Sequence, residues 1–175
     1  MKKPHAGFWL ATLGLGVCWL LALLTRYRLN GMLLAGSALA LIFTPAARRK
    51  GAALAALGGI GMDGLWSYSG VLHYSGQHGL PLWTIALWIG FGCWWYWLLD
   101  VVRAAPWPLA VLGAALGPFA YAVSWKLDAL LPGMPPEFML LLAIGWSIYL
   151  PAVSWLQWKQ QGKVRISPKC EILVS

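Results

Sequence analysis

Charge is scarce in this chain. Lysine and arginine number 13 and aspartate and glutamate only 5, so that charged residues make up 10% of 175 positions, against about 25% in an ordinary soluble domain. So few charges cannot cover the surface of a water-soluble fold of this size. Histidine is also rare, at three residues, too few for the multi-histidine metal boxes of membrane desaturases. The cysteines Cys18, Cys93 and Cys170 share no spacing, which argues against a zinc motif or a disulfide framework. There is no H-E-x-x-H, G-x-S-x-G, P-loop or dinucleotide fingerprint. The sequence therefore implies no cofactor and no metal, and assigns no catalytic residue. An intramembrane arginine array of the voltage-sensor kind is missing too.

What is abundant is apolar. Hydrophobic residues make up 60% of the chain, gathered in blocks of about 20, the length that crosses a ~30 Å hydrocarbon core. This pattern predicts an all-α fold, a polytopic transmembrane bundle of six helices. They run Gly7 to Thr25, Leu29 to Ala46, Ala52 to Leu72, Leu82 to Val101, Trp107 to Lys126 and Glu137 to Gln157. One transmembrane domain thus covers residues 1–158, and a basic tail covers 159–175. The breaks carry Pro45 with Arg48-Arg49-Lys50, then Ser75 to Gly79, then Pro106 and Pro108, then Pro132 to Pro136. Irregular backbone cannot face lipid unsatisfied, so these breaks belong at the membrane surfaces. Lys2 and Lys3 before an apolar run resemble a secretory signal, but no A-x-A site follows, and the segment reads as the first helix.

The net charge of +8 does not point to nucleic acid, because the basic residues sit in short clusters between apolar blocks. They fit topology signals and contacts with anionic lipid headgroups, making membrane lipids the expected partners. With the N-terminus in the cytoplasm, ten of the 13 basic residues fall inside and only Arg26, Arg28 and Lys126 outside. Both termini are therefore expected in the cytoplasm. Trp9, Trp107, Trp155 and Trp158 near inner ends, and Trp83 and Trp125 near outer ends, suit an interfacial belt. The denser run Trp94-Trp95-Tyr96-Trp97 reads as further anchoring, with lipid or ligand contact as the other reading.

Asp63 stands out among the acids because it falls within the third apolar block. A carboxyl group at bilayer depth costs about 2.5–3.5 kcal/mol on insertion scales, so it faces the bundle interior or a wet cavity. It serves either a function or an interhelical hydrogen bond. Gly59, Ser67 and Gly70 recur on its helical face at i−4, i+4 and i+7. The fifth helix repeats the pattern with Gly113, Gly117, Tyr121 and Ser124. Gly113-x-x-x-Gly117 permits close helix packing, so the third and fifth helices are expected to face each other, with Tyr121 as a partner for Asp63. Asp100 and Arg103, three apart, read as an interfacial ion pair. His73 and His78, even with Asp128 or Glu137, are too sparse to imply a metal.

Several stretches recur as a set: Gly61-Met62-Asp63-Gly64-Leu65-Trp66 leading to Gly70-Val71-Leu72, Pro81-Leu82-Trp83 through Leu87-Trp88, and Gly117-Pro118-Phe119-Ala120-Tyr121 with Lys126-Leu127. Over roughly residues 5 to 160 the chain resembles a family of small bacterial inner-membrane proteins whose shared domain has no assigned function. The resemblance implies a bacterial inner membrane and adds weight to Asp63 and Tyr121. Genes for relatives often sit near lipid-modifying enzymes, which implies a lipid-linked role and a partner enzyme of that kind. This chain reads Ala122-Val123-Ser124-Trp125 where relatives carry a glycine, a departure that bears on packing of the outer half of the fifth helix.

Three functions compete. The leading one is a non-catalytic accessory or scaffold for lipid or envelope processes. The second is a small transporter or proton-linked permease using Asp63, and the third an intramembrane enzyme acting on lipid. The oligomeric state is not legible.

Overall fold

Each apolar block closes into a helix, because a backbone that cannot hydrogen-bond to lipid must satisfy itself. The computed structural model describes residues 6–76, 79–101, 105–131 and 136–166. Among them α1 (Ala6–Thr25) passes through a 3-10 turn (Arg26–Leu29) into α2 (Asn30–Phe43), followed by α3 (Ala46–Tyr68), α4 (Leu82–Val101), α5 (Pro106–Lys126) and α6 (Pro136–Ile166). Four stretches are long and apolar enough to cross a membrane: Ala6–Phe43, Leu82–Leu99, Pro106–Lys126 and Glu137–Lys159. α3 carries Arg48, Arg49, Lys50 and Asp63 and does not reach that apolarity. Asp100's side chain, Arg103, His78, and the expected tail beyond Ile166 lie outside the described residues.

The boundaries differ from the expected ones for physical reasons. Arg48-Arg49-Lys50 does not sit in a break but in the first turns of α3, which begins at Ala46 behind N-cap Pro45. Lysine and arginine are good helix formers, so only the proline interrupts. Arg49 then turns back on the preceding helix: Nε donates to Thr44 O at 2.9 Å and Nη2 to Ile42 O at 2.6 Å. A cation placed there satisfies carbonyls that the end of α2 leaves open.

α3 ends at Tyr68 rather than Leu72. Gly70, with φ of +80°, takes the left-handed conformation that glycine adopts without a Cβ penalty. Val71 N donates to Trp66 O at 2.8 Å and Gly70 N to Ser67 O at 3.4 Å, the paired bonds of a Schellman cap. α5 ends the same way. Ala129 N reaches Ser124 O at 2.9 Å, Asp128 N reaches Trp125 O at 2.9 Å, and Asp128 holds φ of +57°. Beyond these caps the two loops pair. Ser75 N donates to Ala129 O at 3.1 Å and Leu131 N to His73 O at 2.8 Å, around a bridge between Tyr74 and Leu130. Tyr27, from the turn after α1, donates its hydroxyl to Ser75 O. Three interhelical connections thus close one end of the bundle.

α4 is the most buried of the apolar spans, and α1, α2 and α3 all pack against it. Trp94 of α4 meets Thr12 of α1 (Nε1 to Oγ1, 2.9 Å), and Ser37 of α2 donates to Ala86 O of α4 at 2.8 Å. α6 packs against both α5 and α3. Tyr149 of α6 fixes the latter contact by donating to Ala55 O at 2.7 Å. The expectation that α3 and α5 face each other is corrected here: α6 contacts both, and no comparable packing joins α3 to α5 among the described residues. A Cβ on Gly113 would strike the Trp146 carbonyl and one on Gly117 the Trp146 ring, both on α6. Gly59 of α3 abuts the Trp88 ring of α4. The glycines permit close approach, to partners that spacing alone did not specify.

Candidate functional site

Asp63 lies on α3 five residues before the helix ends, about 7.5 Å along the axis at ~1.5 Å per residue. Its carboxyl group is buried and receives three hydrogen bonds from three different segments. Tyr121 of α5 donates its hydroxyl to Oδ1. Trp88 of α4 donates Nε1 to Oδ2 at 2.8 Å, and Tyr74 of the α3–α4 loop donates its hydroxyl to Oδ2 at 3.1 Å. Hydrogen bonds to a charged group are worth about 1.5–3 kcal/mol each, so three of them offset much of the cost of taking the carboxyl group out of water. Losing the carboxyl group would leave all three donors unpaired, and losing Tyr121 would leave Oδ1 without a partner, whereas Oδ2 is held twice.

Of the residues singled out in sequence, Asp63 and Tyr121 come together. Ser124 is buried nearby, but its hydroxyl bonds back to Ala120 O at 2.9 Å and does not touch the carboxyl group. Ser67 is not at this center; it borders a separate depression beneath the α3–α4 loop, with Gly64 and His73. Trp88 and Tyr74 are the partners that sequence reasoning missed. Tyr74 sits beyond the helix on a loop whose path depends on the Gly70 cap, and Trp88 lies 25 positions away on a helix apolar all round. A donor-bearing aromatic is a weak signal by itself, because burial of any tyrosine or tryptophan calls for some partner.

The carboxyl group borders a cavity of about 360 Å³, near the lower end of the ~300–1,000 Å³ typical of small-molecule sites. Its walls come mainly from α1, α4 and α5 and are almost wholly apolar and aromatic. Trp88 stacks on Trp146 (5.3 Å between centroids, 25° between planes) and Phe91 on Trp95 (5.5 Å, 18°). Trp66 meets Tyr121 edge-on at 6.0 Å. The run read as interfacial anchoring is corrected in part: Trp95 and Tyr96 are buried, and Trp95 donates to Ser154 Oγ of α6 at 3.0 Å. Trp83, expected in the belt, is buried as well, whereas Trp9, Trp107 and Trp155 are exposed.

The cavity opens sideways. α1 rests on α4 and α5 on α6, and among the described residues no comparable packing joins α1 to α5. Gly16 on one rim and Leu112 and Leu116 on the other are exposed. On the same two helices Leu13, Val17, Val111 and Phe119 are exposed as well. The result is a cleft that joins the outer face of the bundle to a buried carboxyl group.

A family profile matches residues 8–152. The chain belongs to the family described as "Protein of unknown function (DUF2878)". No curated protein and no solved structure matches it. Asp63, its three donors and the stacked Trp146 all fall inside the matched segment, so the whole site belongs to the family domain.

Proposed function

We propose that this chain is a multi-pass protein of a bacterial inner membrane that holds a lipophilic molecule in the cleft between α1 and α5. In this reading it assists lipid or envelope processes without catalysing a reaction itself. The observation that carries it is the sideways opening of an aromatic, apolar cleft onto the surface expected to meet acyl chains. A molecule dissolved in the bilayer can enter there without crossing the headgroup layer. Binding is favoured over catalysis because the carboxyl group is held by three donors, and the lining includes no histidine, lysine or cysteine to act as base or nucleophile. A membrane-bound lipid-modifying enzyme is the class of partner that such a carrier or scaffold would serve.

Six spans with both termini in the cytoplasm complete the proposal. α1 runs antiparallel to α4, pairing Thr12 with Trp94, whereas α2 runs parallel to it, so the stretch Ala6–Phe43 is a hairpin rather than one long rod. The turn at Arg26–Leu29 then joins the other two connections at the outer end, as the lysine and arginine distribution requires. A proton-linked permease is the second reading, favoured by a buried carboxyl group that borders a cavity.

Native mass spectrometry of the purified protein tests the leading reading. Gly16 lines the cleft and Gly14 does not, and a Cβ on either meets nothing within 4 Å. Gly16→Trp is expected to abolish a co-purifying lipophilic adduct that wild type and Gly14→Trp retain. Equal adducts in all three proteins would refute occupancy of the cleft.

A further inference from the structure

Every hydroxyl in the lining of the cleft is already committed inside the protein. Tyr74 and Tyr121 donate to Asp63, and their own oxygens face Thr84 and Trp146 in turn. Ser124 donates to Ala120 O at 2.9 Å, and Thr12 donates to Phe8 O and accepts from Trp94. Asp63, Tyr74, Thr84, Tyr121 and Ser124 are at most 8% exposed. A polar head group pushed in among them would give up its water without gaining a partner, at about 1–3 kcal/mol for a neutral group. The lining also holds no lysine, arginine or histidine to receive an anion. Only the apolar part of a lipid gains by entering.

The cleft is also blind at one end. Tyr74 and Leu130 pair where the loops after α3 and α5 meet. Both line the cleft and are 4% and 1% exposed, so the paired loops roof it. Trp83, Thr84 and Ser124 at the same end are buried too. The exposed rim residues Gly16, Leu112 and Leu116 lie farther from the roof. Leu112 comes six residues after Pro106, where α5 starts, and 14 before Lys126, where it ends, about 9 Å and 21 Å at the helical rise. From Trp83 to Trp95 the wall follows twelve residue steps of α4, about 18 Å by the same rise. A volume of about 360 Å³ drawn out over that length is the room of one extended chain. We infer that the cleft holds one hydrocarbon chain of a membrane lipid end-on, its methyl terminus under the Tyr74–Leu130 roof and its head group outside, toward the end where α5 begins. This rests on the cleft being a ligand site. With the topology proposed above, the chain belongs to a lipid of the cytoplasmic leaflet. The Asp63 network is then the stop against which the chain ends, not a receptor for a head group.

Two photoreactive phosphatidylcholines, one with a diazirine at the methyl end of its chain and one with it beside the head group, test the inference on the full chain in phosphatidylcholine nanodiscs. Labelled residues are mapped by peptide sequencing. Leu130 and Leu150 line the cleft and are each 1% exposed, so bulk lipid does not reach them. The chain-end probe is expected to label Leu130 at least about tenfold more than the head-proximal probe. Unlabelled lipid with plain chains is expected to compete this label away. Lipid with a hydroxyl at each chain end is expected to compete at least about tenfold less well, the factor that ~1.4 kcal/mol supplies. Equal or stronger labelling of Leu130 by the head-proximal probe overturns the orientation, and equal competition overturns the apolar end. Chain-end label on Leu150 without Leu130 overturns the depth. Each of these results leaves the cleft as a binding site. Label on neither leucine from either probe overturns the ligand-site reading itself.

Discussion

Tyr121 donates its hydroxyl to Asp63 across a gap that the backbones of α5 and α3 do not close. The two helices are joined at this level by side chains alone. With Trp88 of α4 and Tyr74 of the α3–α4 loop on the other oxygen, the carboxyl group ties four segments together at the inner end of the cleft. One residue thus sets both the packing of the bundle and the polarity of the cavity.

The three donors predict an unequal response to substitution at Asp63. In Asp63→Asn the amide oxygen can still accept from Trp88 and Tyr74, and the amide nitrogen can donate to Tyr121 once that phenol turns its own proton away. The expected loss is about 1–2 kcal/mol. Asp63→Ala leaves three buried donors unpaired and a void beside them, for a loss of at least about 3 kcal/mol. Denaturant unfolding in detergent followed by far-UV dichroism measures both. Equal losses for the two variants would mean that the hydrogen bonds contribute little.

Glycine substitutions separate packing from propensity. Gly113→Ala drives a methyl group into the Trp146 carbonyl of α6, which as backbone cannot swing aside, and is expected to cost about 1–3 kcal/mol. Gly14→Ala meets nothing within 4 Å and is expected to be neutral or to gain up to about 1 kcal/mol from helix propensity. Matched melting temperatures of the two variants would contradict the α5–α6 contact.

How far the fold could be read from sequence follows from where the information resides. The all-helical character and the rough extent of the apolar stretches were legible, because apolar blocks and prolines act locally. Ends were less so: Gly70 and Asp128 stop their helices through left-handed caps, and only the glycine advertises that conformation. Asp63 was legible as a buried polar site because a carboxyl group in an apolar block needs an explanation. Its partners were not, apart from Tyr121. Small residues say that something comes close, not what, and Gly117 met an α6 tryptophan rather than α3. α4 is apolar on every side, so no periodicity marks Trp88 as the member that faces Asp63.

Asp128 offers a gain in stability. Its φ of +57° is a conformation that costs a side chain with a Cβ and suits glycine. Asp128→Gly is expected to stabilise the protein by about 0.5–1 kcal/mol by easing this cap, read as a higher midpoint in the same unfolding assay. A lowered midpoint would show that the Asp128 side chain holds the cap in a way its backbone alone does not explain.

The account turns on acyl-sized molecules reaching Asp63 between α1 and α5. Crystals grown in a lipid mesophase doped with a bromine-labelled long-chain alcohol locate such a molecule directly, through anomalous scattering from the bromine. The predicted result is a bromine peak inside the cleft, flanked by Leu15 and Leu116, with continuous density leading to the carboxyl group. Bromine confined to the outer belt, with α1 and α5 closed against each other, would contradict it.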